Sequence, residues 1–174
     1  VTTHTALFIV GPPGVGKTAL ARELLGFPDV RTCPDPKWSL SACGEIVAAG
    51  HYDGGTFDGA DRIGYNQVAK WLGFWEVNLA PYTQITIFDG DRFSYTAARD
   101  RIAAIARVLC VYLNADDEIL DARRTARGSN QNPIWMRGRA TKAERFAAGC
   151  TTLALHAGLP VSVLAMQVRE RLAP

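Results

Sequence analysis

Short apolar runs alternate along the chain with longer stretches of mixed character. Ala6-Leu7-Phe8-Ile9-Val10 predicts a first strand over 6–10. Residues 17–26, with Leu20, Leu24 and Leu25 spaced around Arg22 and Glu23, predict an amphipathic helix. Phe27-Pro28-Asp29 closes it. Pro34 and Pro36 interrupt the next stretch, after which 39–49 carries either a helix-like pattern or a short strand at 45–49. Residues 51–60, rich in Gly and Asp, read as a loop and 62–72 as a helix, with Trp71, Phe74 and Trp75 as packing residues. Gln84-Ile85-Thr86-Ile87-Phe88 predicts a second strand, 96–106 a helix, 108–113 a third strand and 117–127 a further helix. A polar segment over 128–138, a helix over 142–158 and a last strand over 160–165 complete the reading. Apolar strands alternating with helices imply an α/β domain: a parallel sheet of about five strands between two helical layers. In such sheets ligands bind at the carboxyl ends of the strands. Val10, Phe88 and Leu113 all end before polar or Gly-bearing segments, so these ends are expected to meet at one cleft.

The 174 residues suit one domain with one continuous core. There is no apolar run of about 18 residues, which excludes a membrane-spanning helix, and no signal peptide is read ahead of the first strand. Cys33, Cys43, Cys110 and Cys150 are scattered without a C-x-x-C pair. That pattern points to free thiols in a reduced, cytoplasmic setting, with Cys110 buried in its strand. The net charge of +2 conceals a division. Arg123, Arg124, Arg127, Arg137, Arg139, Lys142 and Arg145 crowd one segment, while Asp53, Asp58 and Asp61 lie in another, with Arg62 following. Such a division suits a site with one part for phosphates and one for a metal or a hydroxyl.

Between the first strand and the first helix stands Gly11-Pro12-Pro13-Gly14-Val15-Gly16-Lys17-Thr18, a complete G-x-x-x-x-G-K-[ST] phosphate-binding loop. Its glycines let the backbone wrap a phosphate, and its N–H groups and the helix N-terminus face the anion. Lys17 is placed to reach the β- and γ-phosphates and Thr18 to hold Mg²⁺, so ATP and Mg²⁺ are the expected cofactors. Asp89 and Asp91, at the end of the second clear strand, are candidate metal carboxylates. Asp91 is favoured because Arg92 follows it directly; a plain turn is the alternative for both. The segment 123–139 reads as an Arg-rich lid hinged at Gly128 and Gly138. Its Arg127 and Arg137 are candidates for stabilising the transferred phosphoryl group, and a solvated basic helix face is the bland alternative. Residues 50–62 read as an acceptor loop, with Asp53, Thr56, Asp58, Asp61 and Arg62 as acceptor-binding candidates. One carboxylate there, or Asp89, is expected to orient the acceptor hydroxyl, although Asp residues in a Gly-rich loop also form Asx turns.

On these residues the chain resembles the P-loop kinases of nucleosides and nucleoside monophosphates, thymidylate kinases in particular. Gly11–Thr18 matches their phosphate loop, Asp91-Arg92-Phe93 their Asp-Arg-aromatic motif, Tyr112–Glu118 the step before their lid, and Arg123–Arg139 the lid itself. The resemblance implies that Asp91 acts near Mg²⁺ or the acceptor, that Arg92 contacts an acceptor phosphate or the transferred group, and that Arg123 or Arg124 stacks on the adenine. The segments 50–62 and 129–135 depart from that group. They are similar to small phage-encoded P-loop kinases, among them enzymes that phosphorylate 5-hydroxymethyluracil in DNA. That likeness implies a DNA acceptor and a phage-infected bacterial host. Trp135 and Arg139 would then contact the nucleic acid, Trp135 by stacking or, as its alternative, by lid packing. The phosphate loop also resembles that of AAA-type ATPases, which makes an ATPase or nucleotide-sensing module the second class. A ring ATPase would be expected to carry an acidic pair after Phe88 and a helical domain after Ala165, and neither is read here.

Overall fold

The computed structural model describes residues 4–55, 58–128 and 130–173. Strand β1 (Thr5–Val10) is the middle one of five parallel strands in a seven-stranded sheet. It pairs in parallel with β5 (Ile85–Asp89) on one side and β6 (Arg107–Asn114) on the other. The sheet continues through β4 (Ile46–Ala49) beyond β5 and through β7 (Thr152–His156) beyond β6, again in parallel. Five parallel strands are the number that the alternating pattern implies, although the last of them is not the segment expected. Two antiparallel strands, β2 (Val30–Pro34) and β3 (Lys37–Ser41), extend the β4 edge as a hairpin. They lie in the Pro-interrupted stretch, where the proline pair conceals the strand pattern; of the two readings given for 39–49, the strand is the one observed.

Helices α1 (Lys17–Leu25) and α6 (Val161–Leu172) cover one face, α2 (Val68–Asn78), α3 (Thr96–Ala103) and α5 (Pro133–Ala148) the other. Helix α4 (Asp117–Ala126) follows β6. Both faces of β1 are buried: Phe8 and Val10 point to the α2 side, Leu7 and Ile9 to the α1 side. On the α2 side Phe8, Phe88, Phe93, Trp71, Trp75 and Phe146 form one aromatic cluster with ring centroids 5.0–5.7 Å apart. Trp71 and Trp75 are thus packing residues, and their indole N–H groups donate to the Lys37 carbonyl (2.8 Å) and the Thr86 hydroxyl (2.7 Å). Burial of Cys110 also agrees with the sequence.

Several expectations are corrected. The segment 160–165 is not a strand but the start of α6: Leu164, Ala165 and Val168 are buried at helical spacing. The last strand is Thr152–His156, inside the stretch expected to be helical. The polar segment 128–138 is helical from Pro133, because Asn132 caps it through the Ile134 and Trp135 N–H groups and Pro133 suits the first turn. Gly138 therefore lies within α5 and is no hinge, whereas Gly128 follows α4 with φ +62°. Finally, 60–67 forms two short 3₁₀ turns, and α2 starts only at Val68.

The loop after β4 is fastened from within. Gly59 N–H donates to the His51 carbonyl at 2.6 Å, and a Cβ on Gly50 would stand 1.9 Å from the Gly59 carbonyl oxygen. Both residues have φ near +90°, so glycine is required twice over. Inside the loop the fully buried Asp58 carboxylate accepts from Arg22 Nε and Nη2 (2.9 and 2.6 Å), Gly54 N–H (2.9 Å) and Arg62 Nη2 (3.3 Å). A carboxylate buried in this way is tolerable only because it is paired. Removing it takes from Arg22 its only carboxylate partner among the described residues and leaves the Gly54 N–H without its acceptor. Asp58→Ala is expected to cost about 3 kcal/mol. That corresponds to a drop on the order of 10 °C in melting temperature by calorimetry. An unchanged Tm would show that the loop is held by its glycines alone.

Candidate active site

The carboxyl ends of β1, β5 and β6 meet as expected. The phosphate loop fills the turn from β1 into α1. Lys17 Nζ folds back and donates to the Gly11 and Pro12 carbonyls, at 3.0 Å each. Burial pulls its pKa down to about 8, against the opposing pull of the Asp89 and Asp61 carboxylates.

Asp89, the last residue of β5, pairs in register with Ile9 and so stands level with the start of the loop. Its Oδ2 accepts from Thr18 Oγ1 at 3.1 Å and its Oδ1 from Ala60 N–H at 2.9 Å. Burial raises its pKa, and the Ala60, Tyr52 and Thr18 donors oppose the rise. The sequence preference for Asp91 is therefore reversed in space. The Gly90 turn carries Asp91 away from Thr18 and into contact with Arg139, Tyr65 (3.1 Å) and Lys142 (3.9 Å). Arg92 stacks on the Tyr65 ring, 3.9 Å from its centroid, and reaches Asp61 at 3.5 Å. Burial lowers the pKa of Lys142, and the nearby Arg139 and Arg92 lower it further.

Within the acceptor loop the three carboxylates separate. Asp58 serves as the internal fastening described above. Asp53 is exposed and accepts both Arg62 Nη atoms at 2.8 Å. The Gly55 N–H, with Arg62, holds the Asp53 carboxyl below its usual range. Asp61 is exposed, contacts only Arg92 among the described residues, and acts electrostatically on Lys17, Asp89 and Tyr52. Thr56 lies outside the described residues.

The lid arginines divide as well. Arg123 donates to the Val15 carbonyl (2.8 Å) and the Ala157 carbonyl (2.7 Å), bracing the phosphate loop against the turn after β7. Arg124 lies over Gly14, donates to the Pro13 carbonyl at 3.4 Å and pairs with Asp121 at 2.9 Å. Arg127, at the end of α4, is exposed and close enough to act on Lys17. Arg137 is exposed on α5 without a contact among the described residues and is not brought to the phosphate loop. Arg139 sits 4.9 Å from the ring centroid of Trp135, itself 43% exposed beside Ile134 at 73%. Three contributors escaped sequence reasoning: Arg22, Tyr65 and Tyr52. Arg22 had a signal, since it stands four residues after Thr18 on the same face of α1.

Among the described residues no group of three or more His, Cys, Asp or Glu side chains could hold a metal by itself. Mg²⁺ at phosphate sites takes one or two protein oxygens and fills the remainder with water and phosphate. Thr18 and Asp89, 3.1 Å apart at the loop, fit that role, and the N–H groups and Lys17 fit a triphosphate.

Sheet, loop and strand-end carboxylate together are those of the P-loop kinase fold. The chain belongs to the AAA domain family, which matches residues 7–147. Solved structures with this fold include the tunicamycin resistance protein of Deinococcus radiodurans (18% identity, TM-score 0.60, covering 98% of this chain and 96% of that one). A gluconokinase from Sinorhizobium meliloti 1021 is similar at 14% identity and TM-score 0.58, over 99% and 93% of the two chains. A sugar kinase from Janibacter sp. HTCC2649 follows at 16% identity and TM-score 0.56, over 98% and 94%. No curated protein sequence matches the chain. No helix among the described residues is long and apolar enough to cross a membrane.

The depressed Lys17 gives a pH signature. The ammonium form is the one that binds phosphate, and nucleotide raises its pKa again. Affinity for ATP is therefore expected to be constant below pH 8 and to fall as pH rises above it. Titration calorimetry at pH 7 and pH 9 is expected to give a Kd about tenfold weaker at the higher pH. A flat profile would mean that Lys17 is not the group that meets the phosphates.

Proposed function

We propose that the protein is an ATP-dependent phosphotransferase that moves the γ-phosphate of ATP to a hydroxyl of a nucleotide unit, with Mg²⁺ as cofactor. The observation that carries this reading is Asp61. Of the three acceptor-loop carboxylates it has the longest ion pair, to Arg92 at 3.5 Å, and it stands in the field of both Lys17 and Asp89. In this reading Asp61 accepts the proton of the acceptor hydroxyl while its oxygen bonds to the γ-phosphorus and the bond to the β–γ bridging oxygen breaks. Lys17 and Arg127 stabilise the charge that develops on the transferred group. Thr18 and Asp89 hold Mg²⁺, which supplies neutralisation of the phosphate oxygens. Asp91, Arg92, Arg139 and Lys142 then form the acceptor side of the cleft.

The favoured acceptor is the hydroxymethyl group of 5-hydroxymethyluracil in DNA. Exposed Trp135 and Ile134 offer a stacking or wedging surface, and Arg137, Arg139, Lys142 and Arg145 a basic track along α5. A base must leave the duplex stack to present such a group to ATP. A cytoplasmic site of action in a phage-infected bacterium belongs to the same reading. A free nucleoside or monophosphate is the variant acceptor within it. A small hydroxy acid or sugar is a second reading, supported by the gluconokinase and sugar kinase likeness in fold. Arg92, Arg139 and Lys142 would then meet its carboxylate. The ATPase reading is disfavoured by Gly90, which stands where a second carboxylate beside Asp89 would prime water.

Label transfer from γ-labelled ATP to DNA containing 5-hydroxymethyluracil, to free nucleosides and monophosphates, and to gluconate tests these readings in parallel. Label in the modified DNA alone is the expected result. Label in gluconate alone would move the chain to the small-molecule kinases, and hydrolysis without transfer to any acceptor would remove the kinase reading. With the acceptor found, Lys17→Ala is expected to raise the barrier by ~2–4 kcal/mol. Asp61→Asn is expected to lower kcat by about 10²-fold or more, while Asp53→Asn keeps near wild-type turnover. Full activity of Asp61→Asn would exclude it as the base.

A further inference from the structure

The Tyr52 side chain belongs to the core cluster on the α1 side of the sheet and is 1% exposed. A phenylalanine would fill that space as well, yet the chain buries a hydroxyl there. That hydroxyl bears on the Asp89 carboxylate but falls short of a full hydrogen bond to it. A buried donor left unsatisfied costs about 1–3 kcal/mol, so its presence calls for a use. The groups that act on it are the carboxylates of Asp89, Asp58 and Asp61, with Asp89 foremost. All of them accept, and a phenol O–H donates.

Asp89 has room for this donor. An ionised carboxylate offers about four lone-pair positions. Thr18 occupies one on Oδ2 and Ala60 N–H one on Oδ1. Gly59 contributes by absence, because a Cβ there would stand 2.6 Å from both carboxylate oxygens. Loop residues 52, 59 and 60 thus surround the carboxylate opposite α1.

We infer that Tyr52 is a positioning residue for the cation site, its hydroxyl completing the donors that fix the Asp89 carboxylate opposite Thr18. The inference rests on the reading that Thr18 and Asp89 hold Mg²⁺. With the cation and its waters drawing on Asp89, a slight turn of the carboxylate closes the Tyr52 bond. The loop fastened by Asp58 is then one piece with the cation site, and the acceptor-side Asp61 is carried on that same piece.

The test uses the full chain with a non-hydrolysable ATP analogue and Mn²⁺ as a paramagnetic probe. Tyr52→Phe keeps the packing and removes only an unsatisfied hydroxyl, so its melting temperature is expected to equal or exceed that of the wild type. Electron paramagnetic resonance titration is expected to show Mn²⁺ bound about tenfold more weakly, the usual loss when an outer partner of a metal site is removed. Nucleotide affinity without metal is expected to be unchanged. The Mg²⁺ concentration for half-maximal turnover is expected to rise by the same factor. Wild-type Mn²⁺ affinity in folded Tyr52→Phe would overturn the inference. Asp89→Asn separates the two layers. Loss of Mn²⁺ in that variant but not in Tyr52→Phe removes the role of Tyr52 alone, whereas wild-type affinity in both removes the Asp89 cation site and the inference with it.

Discussion

The buried ion pair between Asp58 and Arg22 sets the geometry of the cleft. A charged carboxylate excluded from water cannot move far from its partners without incurring several kcal/mol. Arg22 belongs to the helix that carries the phosphate loop, and Asp58 to the loop that follows β4. Four residues before Arg22, on the same face of α1, Thr18 bonds Asp89. One helix face therefore makes both contacts, and any rotation of α1 would strain both. Asp89 in turn holds the Ala60 N–H, two residues past Asp58. Phosphate loop, strand-end carboxylate and acceptor-side loop are joined in a closed circuit of hydrogen bonds, supported beneath by the close approach of Gly50 and Gly59.

That circuit explains which parts of the site could be read in the sequence. The phosphate loop is local: its function follows from backbone shape within eight residues, and the motif states it completely. The choice between Asp89 and Asp91 is not local. It turns on the register of β5 against β1, which sets Asp89 level with Ile9, and on the Gly90 turn, which redirects Asp91 toward α5. The three acceptor-loop carboxylates are alike in sequence and differ only by partner. Asp58 meets Arg22 across 36 residues, Asp53 meets Arg62, and Asp61 meets Arg92. Tyr52 gave no signal at all, being an aromatic residue in a Gly-rich loop until the sheet surrounds it.

The fold was legible to a similar depth and for similar reasons. The five parallel strands were expected because four of them sit in continuous apolar runs or beside clear turn signals. The fifth was misplaced: Thr152–His156 is an edge strand with its alternate residues exposed, so its pattern is weak. Val161–Ala165 drew the assignment instead, although its apolar positions continue at helical spacing to Val168. Asn132-Pro133 was a helix start hidden in a polar stretch, since capping chemistry favours the same residues that make loops.

The distribution of cations follows from these placements. Arg123 and Arg124 are held by phosphate-loop carbonyls at one edge of the cleft, and Arg139 and Lys142 by Asp91 at the other. Lys17 stands between them with its ammonium turned onto the Gly11 and Pro12 carbonyls. Those carbonyls are neutral acceptors, whereas an anionic phosphate oxygen adds a full charge–charge attraction, which is stronger in a low-dielectric site. Exchange of partners is thus favourable once a triphosphate arrives, and the burial that depresses Lys17 strengthens its attraction to the incoming charge. The same low dielectric makes the negative charge of Asp89 costly until a cation meets it. Lys17 and Asp89 therefore hold opposite charges at partial disadvantage across one small space, a disadvantage relieved jointly when a cation–phosphate pair enters. A site poised in this way would gain more from a metal–nucleotide complex than from either component alone, and the Ala60 N–H bond ties the loop after β4 to that same balance.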